Sequence, residues 1–297
     1  MTSPATALGL DVEAWVEQTQ GRIIERLESL DGRGRFAIDT WRRAGGGGGV
    51  TAVMTDGALF ERAGVNWSAV WGRFDDTALA RMGGTERAFF ATGVSVVLHP
   101  RSPMVPTVHA NFRYFERGSD AWFGGGCDLT PYYPVDADAR EFHLAWKAIC
   151  DRHDASYYPR FKRWCDDYFF LPHRGEMRGV GGIFFDDMRT DPQRTFAFVR
   201  DCGESFVDTY APIVNRRRND PYGEAERQFQ LYRRGRYVEF NLIYDRGTAF
   251  GLATQGRTES ILMSLPPLAR WEYDWTPKPG SREEAAMRCF QPRDWAD

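Results

Sequence analysis

The segment from residue 105 to 116, VPTVHANFRYFE, constrains the fold of this chain most, because its side chains separate into two unlike sets. Successive side chains of a β-strand point to opposite faces of a sheet. The apolar set is Val108, Ala110, Phe112 and Tyr114, and the polar set is Thr107, His109, Asn111 and Arg113. The pattern predicts a strand of an antiparallel sheet that packs one face on a core.

Other segments show strand or helix periodicity. We predict further strands at 93–98, 180–185, 237–245 and 258–264. We predict helices at 11–31, at 137–170 (two helices, broken near 157–159), at 192–212 and at 222–234. These elements do not follow a strict βαβ rhythm. They therefore indicate an α+β fold, in which a large, mostly antiparallel sheet is covered by helices.

The polar faces of the two longest predicted strands leave two interpretations open. In 237–245, Glu239, Asn241 and Asp245 share one face with Tyr237 and Ile243, as His109, Asn111 and Arg113 share a face in 105–116. Such a face is either the solvated side of a sheet or the lining of a pocket. Solvated strands favour Thr, Lys and Glu, whereas His, Asn and Arg supply a titratable group, an amide and an anion-binding group.

Composition excludes several classes of protein. The 297 residues are 42% hydrophobic and 27% charged with a net charge of -3, which is typical of a soluble globular protein. We expect one domain over 1–297, with an N-terminal helix region at 1–34. The near-neutral charge argues against a nucleic-acid partner, and no apolar run is long enough for a membrane span. The N-terminus lacks a signal-peptide pattern, and the five cysteines contain no CxxC motif, so we expect a cytoplasmic protein.

Two acidic motifs and the five histidines stay ambiguous from their residues alone. Asp128 follows three glycines, so it is either a turn cap or a buried acid that faces a ligand. Asp186 and Asp187 follow an apolar run, where a metal site and a strand-end turn are both compatible with the pattern. No HxH or HExxH spacing occurs among the histidines.

Four long strings of the sequence carry a family resemblance. They are GVSVVLHPRSPMVPTVHANFRYFE (93–116), WFGGGCDLTPYYP (122–134), YPRFKRWCDDYFFLPHRGEMRGVGGIFFDD (158–187) and YVEFNLIYDRGTAFGLATQGRTESILMSLPPLARWEYDW (237–275). With these strings the chain resembles the oxygen-dependent (aerobic) coproporphyrinogen III oxidase family of haem biosynthesis. The similarity spans about residues 35 to 295.

The resemblance implies a fold, a reaction and an assembly. The family fold is a large antiparallel sheet flanked by helices on both faces, and its members form homodimers, here through about residues 237–272. The family reaction converts two propionate side chains of coproporphyrinogen III to vinyl groups and gives protoporphyrinogen IX, CO₂ and H₂O₂. Oxygen is the co-substrate and no organic cofactor is needed, but bacterial members are described as using a divalent metal cation.

The resemblance also assigns roles residue by residue. It implies that the catalytic residues are His109, Asp128 and Arg178. It implies substrate contacts from Ser95, Asn111, Phe112, Arg113, Asp245, Arg246, Gly256 and Arg257. The implied metal ligands are His99, His109, His143 and His173.

Two other functions compete with this one. A non-catalytic tetrapyrrole carrier on the same fold would need Arg113 and Arg257 but not His109 or Asp128, so the presence of the latter two favours an enzyme. A histidine-metal oxygenase that acts on another aromatic acid would be expected to show a compact 2-His-1-carboxylate pattern, which this sequence lacks.

Overall fold

The computed structural model describes residues 3–76, 79, 85–253 and 256–296. Within them, nine strands are present: β1 (Ala37–Arg42), β2 (Gly47–Thr55), β3 (Phe60–Arg73), β4 (Ala88–Pro100), β5 (Thr107–Arg117), β6 (Asp120–Thr130), β7 (Phe170–Leu171), β8 (Glu176–Met177) and β9 (Gly181–Met188). Seven of these strands form one sheet in the order β1-β2-β3-β4-β5-β6-β9, and every pairing in it is antiparallel. The short strands β7 and β8 pair separately as a hairpin.

The same part of the chain contains eight helices. They are α1 (Ala7–Asp31), α2 (Asp136–Asp151), α3 (Tyr157–Tyr168), α4 (Pro192–Arg217), α5 (Glu224–Ile243), α6 (Arg246–Ala253), α7 (Thr258–Leu262) and α8 (Arg282–Met287). None of these described helices has both the length and the apolar composition that a membrane crossing requires.

One face of the sheet packs on α1 and α4 and forms the main core. The apolar set predicted for 105–116 lies on this face and is almost completely buried. Gly203 of α4 lets that helix come close, because a Cβ there would lie 2.7 Å from the ring of Trp15 in α1 and 3.5 Å from the ring of Phe112 in β5. Each buried large apolar side chain stabilises the fold by about 1.5–3 kcal/mol, so this face anchors the sheet.

Helices also lie against the opposite face of the sheet. Tyr237 of α5 packs edge-on against His99 of β4, with ring centroids 5.0 Å apart. The Asn66 amide of β3 donates a hydrogen bond to the carbonyl of Ser260 in α7 at 2.8 Å. The predicted α+β fold, a single domain with helices on both sides of an antiparallel sheet, is therefore confirmed.

Two of the predicted strands are wrong. Residues 237–243 continue the helix that was predicted to end at 234, and 258–262 form the short helix α7. The β-branched and aromatic residues of YVEFNLIY favour a strand locally, but packing of one helical face overrides that preference. In a helix, residues four apart share a face, so Tyr237 and Asn241 come together while Leu242 and Ile243 remain exposed.

Candidate active site

The strand register aligns five short polar side chains, a glycine and a phenylalanine in one row across the sheet, on the face opposite α1 and α4. We call this face the site face. Cross-strand neighbours in such a row have Cβ atoms about 4.5–5.5 Å apart. The row consists of Asp39, Thr51, Asn66, Ser95, Asn111, Gly126 and Phe184. The predicted substrate residues Ser95 and Asn111 are therefore direct neighbours.

In the middle of the site face the side chains are short and partly exposed to solvent. Ser68, Gly93 and Arg113 form the adjacent row, and the short side chains of Asn66, Ser68, Ser95 and Asn111 are only half-buried, as is Gly93. We call these five short residues the site floor. Because none of them projects far above the backbone, a flat ligand can lie close to the strands.

A cluster of three charged or titratable residues stands at one end of the site floor. His109 and Asp128 are cross-strand partners, and His109 Nδ1 lies 2.9 Å from Asp128 Oδ1. Arg178, from the loop between β8 and β9, donates to both oxygens of Asp128, from Nη2 at 2.8 Å and from Nε at 3.1 Å. Arg178 and Asp128 are almost completely buried, whereas 21% of the His109 side chain is exposed.

The surroundings of Arg178 hold its guanidinium in one orientation. The guanidinium carbon Cζ of Arg178 lies 4.1 Å from the ring centroid of Phe169. It lies 4.5 Å and 4.7 Å from the ring centroids of Tyr237 and Phe240. Its Nη1 donates to the side-chain oxygen of Asn241 at 2.9 Å. A cation enclosed by aromatic rings and paired with a carboxylate satisfies the requirement that buried charges be paired.

These contacts determine the charge of Asp128. Burial raises its pKa, but the charge of Arg178 and the hydrogen bond from His109 outweigh burial and hold the pKa below its usual value. Asp128 is therefore a carboxylate at neutral pH. A carboxylate accepts hydrogen bonds only, so the proton of a neutral His109 ring is on Nδ1. Within the described residues, Nε2 has no hydrogen-bond partner, and in this tautomer it carries the lone pair of the ring.

The structure decides between the two placements that the sequence left open for Asp128. It is a buried acid on the site face and not a turn cap. Both of its oxygens accept hydrogen bonds from protein groups, and only 1% of it is exposed. Of the three side chains in this cluster, His109 is the one that is partly exposed.

The four histidines expected to bind metal are not brought together. His99 contacts Thr107 and the Ser264 carbonyl, and His143 contacts Tyr158 and the Val180 carbonyl, through both ring nitrogens in each case. The ring nitrogens of His173 contact Glu239 and Tyr244, both at 2.8 Å. Among the described residues, no group of three His, Cys, Asp or Glu side chains is arranged to hold a metal ion. The predicted ligand set therefore does not fit one metal centre in this chain.

Burial keeps two of these histidines neutral. Burial lowers the pKa of His99 well below its usual value, and it lowers the pKa of His143 to about 4. His143 also belongs to the opposite side of the sheet, where its ring stacks near Trp295 at a centroid distance of 6.3 Å. Of the four, only His109 has a ring nitrogen without a hydrogen-bond partner among the described residues.

The predicted substrate-binding residues near α6 and α7 are largely engaged with protein groups. Asp245 accepts hydrogen bonds from Tyr168 Oη at 2.9 Å and from the Thr248 amide at 2.7 Å, so it caps the start of α6. Arg257 pairs with Asp39 and donates to Ser260 Oγ at 3.2 Å. The amide of Gly256 donates to the carbonyl of Gly251 at 2.7 Å.

One predicted substrate residue is on the wrong side of the sheet. Phe112 is 1% exposed and packs with the core formed by α1 and α4. The alternation of β5 explains the correction, because Asn111 and Arg113 point to the site face and the residue between them cannot. Phe112 contributes to stability and has no access to a ligand on the site floor.

Two residues of the site were not identified from the sequence. Asn241 was noticed only as a polar position of a predicted strand, and its contact with Arg178 exists because the segment is helical. Asp186 was assigned to a turn or a metal site, but it lies beside Arg113, with Oδ1 3.0 Å from Nη2. If 237–243 is interpreted as a helix, Tyr237 and Asn241 fall on one face, and this placement identifies Asn241 as a candidate site residue.

Comparison with protein families shows the family of the chain. A family model described as coproporphyrinogen III oxidase matches residues 11–295. The match includes most of α1, so it begins earlier than the position near 35 that the sequence strings indicated, and it reaches almost the end of the chain. The chain belongs to the coproporphyrinogen III oxidase family.

Proposed function

We propose that this protein is an oxygen-dependent coproporphyrinogen III oxidase of haem biosynthesis. Each of two propionates of the substrate loses its carboxylate as CO₂ and one C–H hydrogen, which leaves a vinyl group. The two electrons pass to O₂, which also takes up two protons and becomes H₂O₂. The observation that carries the proposal is His109, held by the buried Asp128–Arg178 pair at the end of a floor of short polar residues.

His109 is the proton-transfer group in this proposal. Its Nδ1 donates to the ionised Asp128, so Nε2 is free to accept or return a proton at the reacting side chain. Asp128 keeps the ring in this tautomer and orientation, and Arg178 keeps Asp128 ionised. A positioned base of this kind contributes about 10²–10⁴-fold to a rate.

The substrate carboxylates require cationic partners, which the site face supplies. Arg113 projects from β5 beside Ser95 and Asn111, and 37% of its side chain is exposed. Arg246 at the start of α6 lies near Arg113, since both approach Asp186, and Arg257 before α7 pairs with Asp39 of β1. Guanidinium groups bind carboxylates in a two-pronged geometry, so these three arginines suit the propionates of the macrocycle. Ser95 and Asn111 offer hydrogen bonds from the floor.

The proposal needs no organic cofactor, and O₂ is the co-substrate. A divalent cation, which the family resemblance implies, is not assigned to the histidines, since three of the four have both ring nitrogens engaged. We therefore derive no step through a metal. The electrons of the oxidation come from the electron-rich reduced macrocycle, and the protein positions it and moves protons.

We further propose a homodimer that forms through about residues 237–272. Large hydrophobic side chains are exposed along this region or directly after it, and they are Leu242, Ile243, Leu252, Leu268, Trp271 and Tyr273. The segment around 270 lies against α5, because the Arg270 amide donates to the Leu231 carbonyl at 2.9 Å. Such a group of exposed apolar side chains is typical of an interface between subunits. We place the enzyme in the cytoplasm, where its five free cysteines stay reduced.

The oxygen dependence is tested by incubating the protein with coproporphyrinogen III in air and under nitrogen. The proposal predicts protoporphyrinogen IX only in air, with one H₂O₂ and one CO₂ for each vinyl group formed. Equal turnover under nitrogen would contradict it. Tight binding of the macrocycle without any product in air would favour the tetrapyrrole carrier instead.

A further inference from the structure

Asp186 reaches the site face through a break in strand pairing. Phe123 pairs with Met188 while Gly125 pairs with Phe185, so β9 carries one residue more than β6 over this stretch. The extra residue forms a β-bulge, in which Asp187 adopts a left-handed φ of 55°. The Asp187 amide donates to Asp186 Oδ1 at 3.0 Å, which fixes the carboxylate of Asp186.

Two arginines from different parts of the fold converge on this carboxylate. Arg113 of β5 approaches Oδ1 with Nη2 at 3.0 Å, and Arg246 at the start of α6 approaches Oδ2 with Nη2 at 3.6 Å. Both guanidinium groups lie near the ring of Phe184, at 5.9 Å and 5.7 Å from its centroid. Asp186 is 21% exposed, less than either arginine, so it lies beneath them.

Gly124 makes room for this arrangement. A Cβ at this position would lie 2.5 Å from Asp186 Oδ1 and 2.7 Å from Arg113 Nη2, which is closer than atoms can approach. The bulge, the glycine and the two arginines therefore form one arrangement built from β6, β9, β5 and α6.

We propose that Asp186 is a positioning residue that holds Arg113 and Arg246 together as a clamp for one carboxylate of the substrate. Without Asp186, two like charges side by side would repel each other. With it, the cluster has a net charge of one positive unit, which suits one incoming carboxylate. Arg113 uses one terminal nitrogen for Asn111 and the other for Asp186, and its five N–H groups leave donors for a ligand.

This inference rests on the proposed function for the identity of the substrate, and the test is Asp186→Asn. The clamp predicts that KM for coproporphyrinogen III rises about tenfold while kcat changes less than about twofold, because binding and not proton transfer is lost. The dissociation constant of the stable oxidised porphyrin, coproporphyrin III, should rise by the same factor. An unchanged or lowered KM, or a fall in kcat alone, would overturn the role, and a lowered KM would show that Asp186 only competes with the substrate.

The matched control is Asp187→Asn. It removes the same charge at the next residue, and it keeps both a side chain that tolerates positive φ and the backbone amide that donates to Asp186. Within the described residues, the charge that it removes pairs with the exposed Arg189. We expect wild-type KM in this variant. If Asp186→Asn does not fold, Arg246→Gln, whose side chain is 59% exposed, replaces it and should raise KM by a similar factor. Wild-type protein that binds coproporphyrin III without turnover would refute the oxidase, and the binding measurement would still decide the clamp.

Discussion

His109 and Asp128 face each other directly across β5 and β6, and their side chains meet with Nδ1 2.9 Å from Oδ1. Their register makes the contact independent of loop conformation, since both residues belong to long central strands. Arg178 donates to Asp128 and is almost completely buried. Under the proposed function, these three residues form the acid–base group at the end of the site floor and are held in place for a large flat substrate.

Replacing Asp128 separates its chemical role from its structural one. Asp128→Asn keeps an acceptor for Arg178 but removes the charge that orients His109, so we expect kcat to fall about 100-fold. Asp128→Ala leaves the buried Arg178 without a charged partner and should also destabilise the protein by about 3–5 kcal/mol. Turnover assays and denaturant unfolding of both variants measure these effects.

The control for these variants is Asp120→Asn at the other end of β6, where the carboxylate is 60% exposed. It should keep wild-type turnover and stability. Turnover close to wild type in Asp128→Asn would rule out the orienting role of Asp128.

Chelation distinguishes protein-based proton transfer from metal dependence. Because His99, His143 and His173 use both ring nitrogens within the protein, we expect a chelator-treated sample to retain its turnover. The measurement compares aerobic protoporphyrin formation before and after chelation and after each of several divalent cations is added back. Loss of turnover on chelation, with recovery on adding one cation, would show that a metal site forms despite these contacts.

The buried His143 makes stability depend on pH. Its pKa is about 4 in the folded protein, below the 6.5 of a free histidine, so the unfolded state binds the extra proton between these values. Stability is therefore lost as the pH falls from 6.5 toward 4, and the loss from this residue reaches about 2 kcal/mol at pH 5. Urea unfolding at pH 7 and pH 5 measures the difference.

The comparison variant is His143→Gln, which retains hydrogen-bonding groups and cannot titrate. It should lose less stability between pH 7 and pH 5 than the wild type, even if it is less stable at pH 7. An identical pH dependence in both proteins would show that His143 is not the group responsible.

The homodimer is tested by placing a charge on the exposed end of α5. Ile243 is 59% exposed and lies within the proposed interface, so Ile243→Asp should shift the protein from dimer to monomer. Light scattering after size-exclusion chromatography measures the mass of each variant. Leu10→Asp on α1, at a position that is 50% exposed outside that region, is the control and should stay dimeric. A dimer in both variants would argue against this interface.

The sequence predicted the parts of the fold and the site that depend on local periodicity. Alternation in 105–116 was sufficient to place His109, Asn111 and Arg113 on one face of β5, and the same alternation shows that Phe112 cannot join them. The contacts of Arg178 were not predictable in this way. Its partners Asp128 and Asn241 are 50 and 63 residues away in the chain. Asn241 also belongs to the segment 237–243, where the sequence pattern predicts a strand and the structure has a helix.

The metal ligands illustrate a different limit. The resemblance supplied the positions of four histidines, but a metal site depends on where their ring nitrogens point. Tyr158 and the Val180 carbonyl occupy those of His143, and neither contact has a signature in the sequence. Burial and hydrogen bonding, rather than residue type, separate His109 from the other three.

The central claim is that His109 carries out proton transfer on a macrocycle bound to the site floor. The most direct measurement is aerobic turnover by His109→Gln, together with its affinity for coproporphyrin III. The account predicts that kcat falls at least about 100-fold while the dissociation constant stays within about threefold of the wild-type value. Turnover near the wild-type rate, in a variant that binds the porphyrin normally, would contradict it.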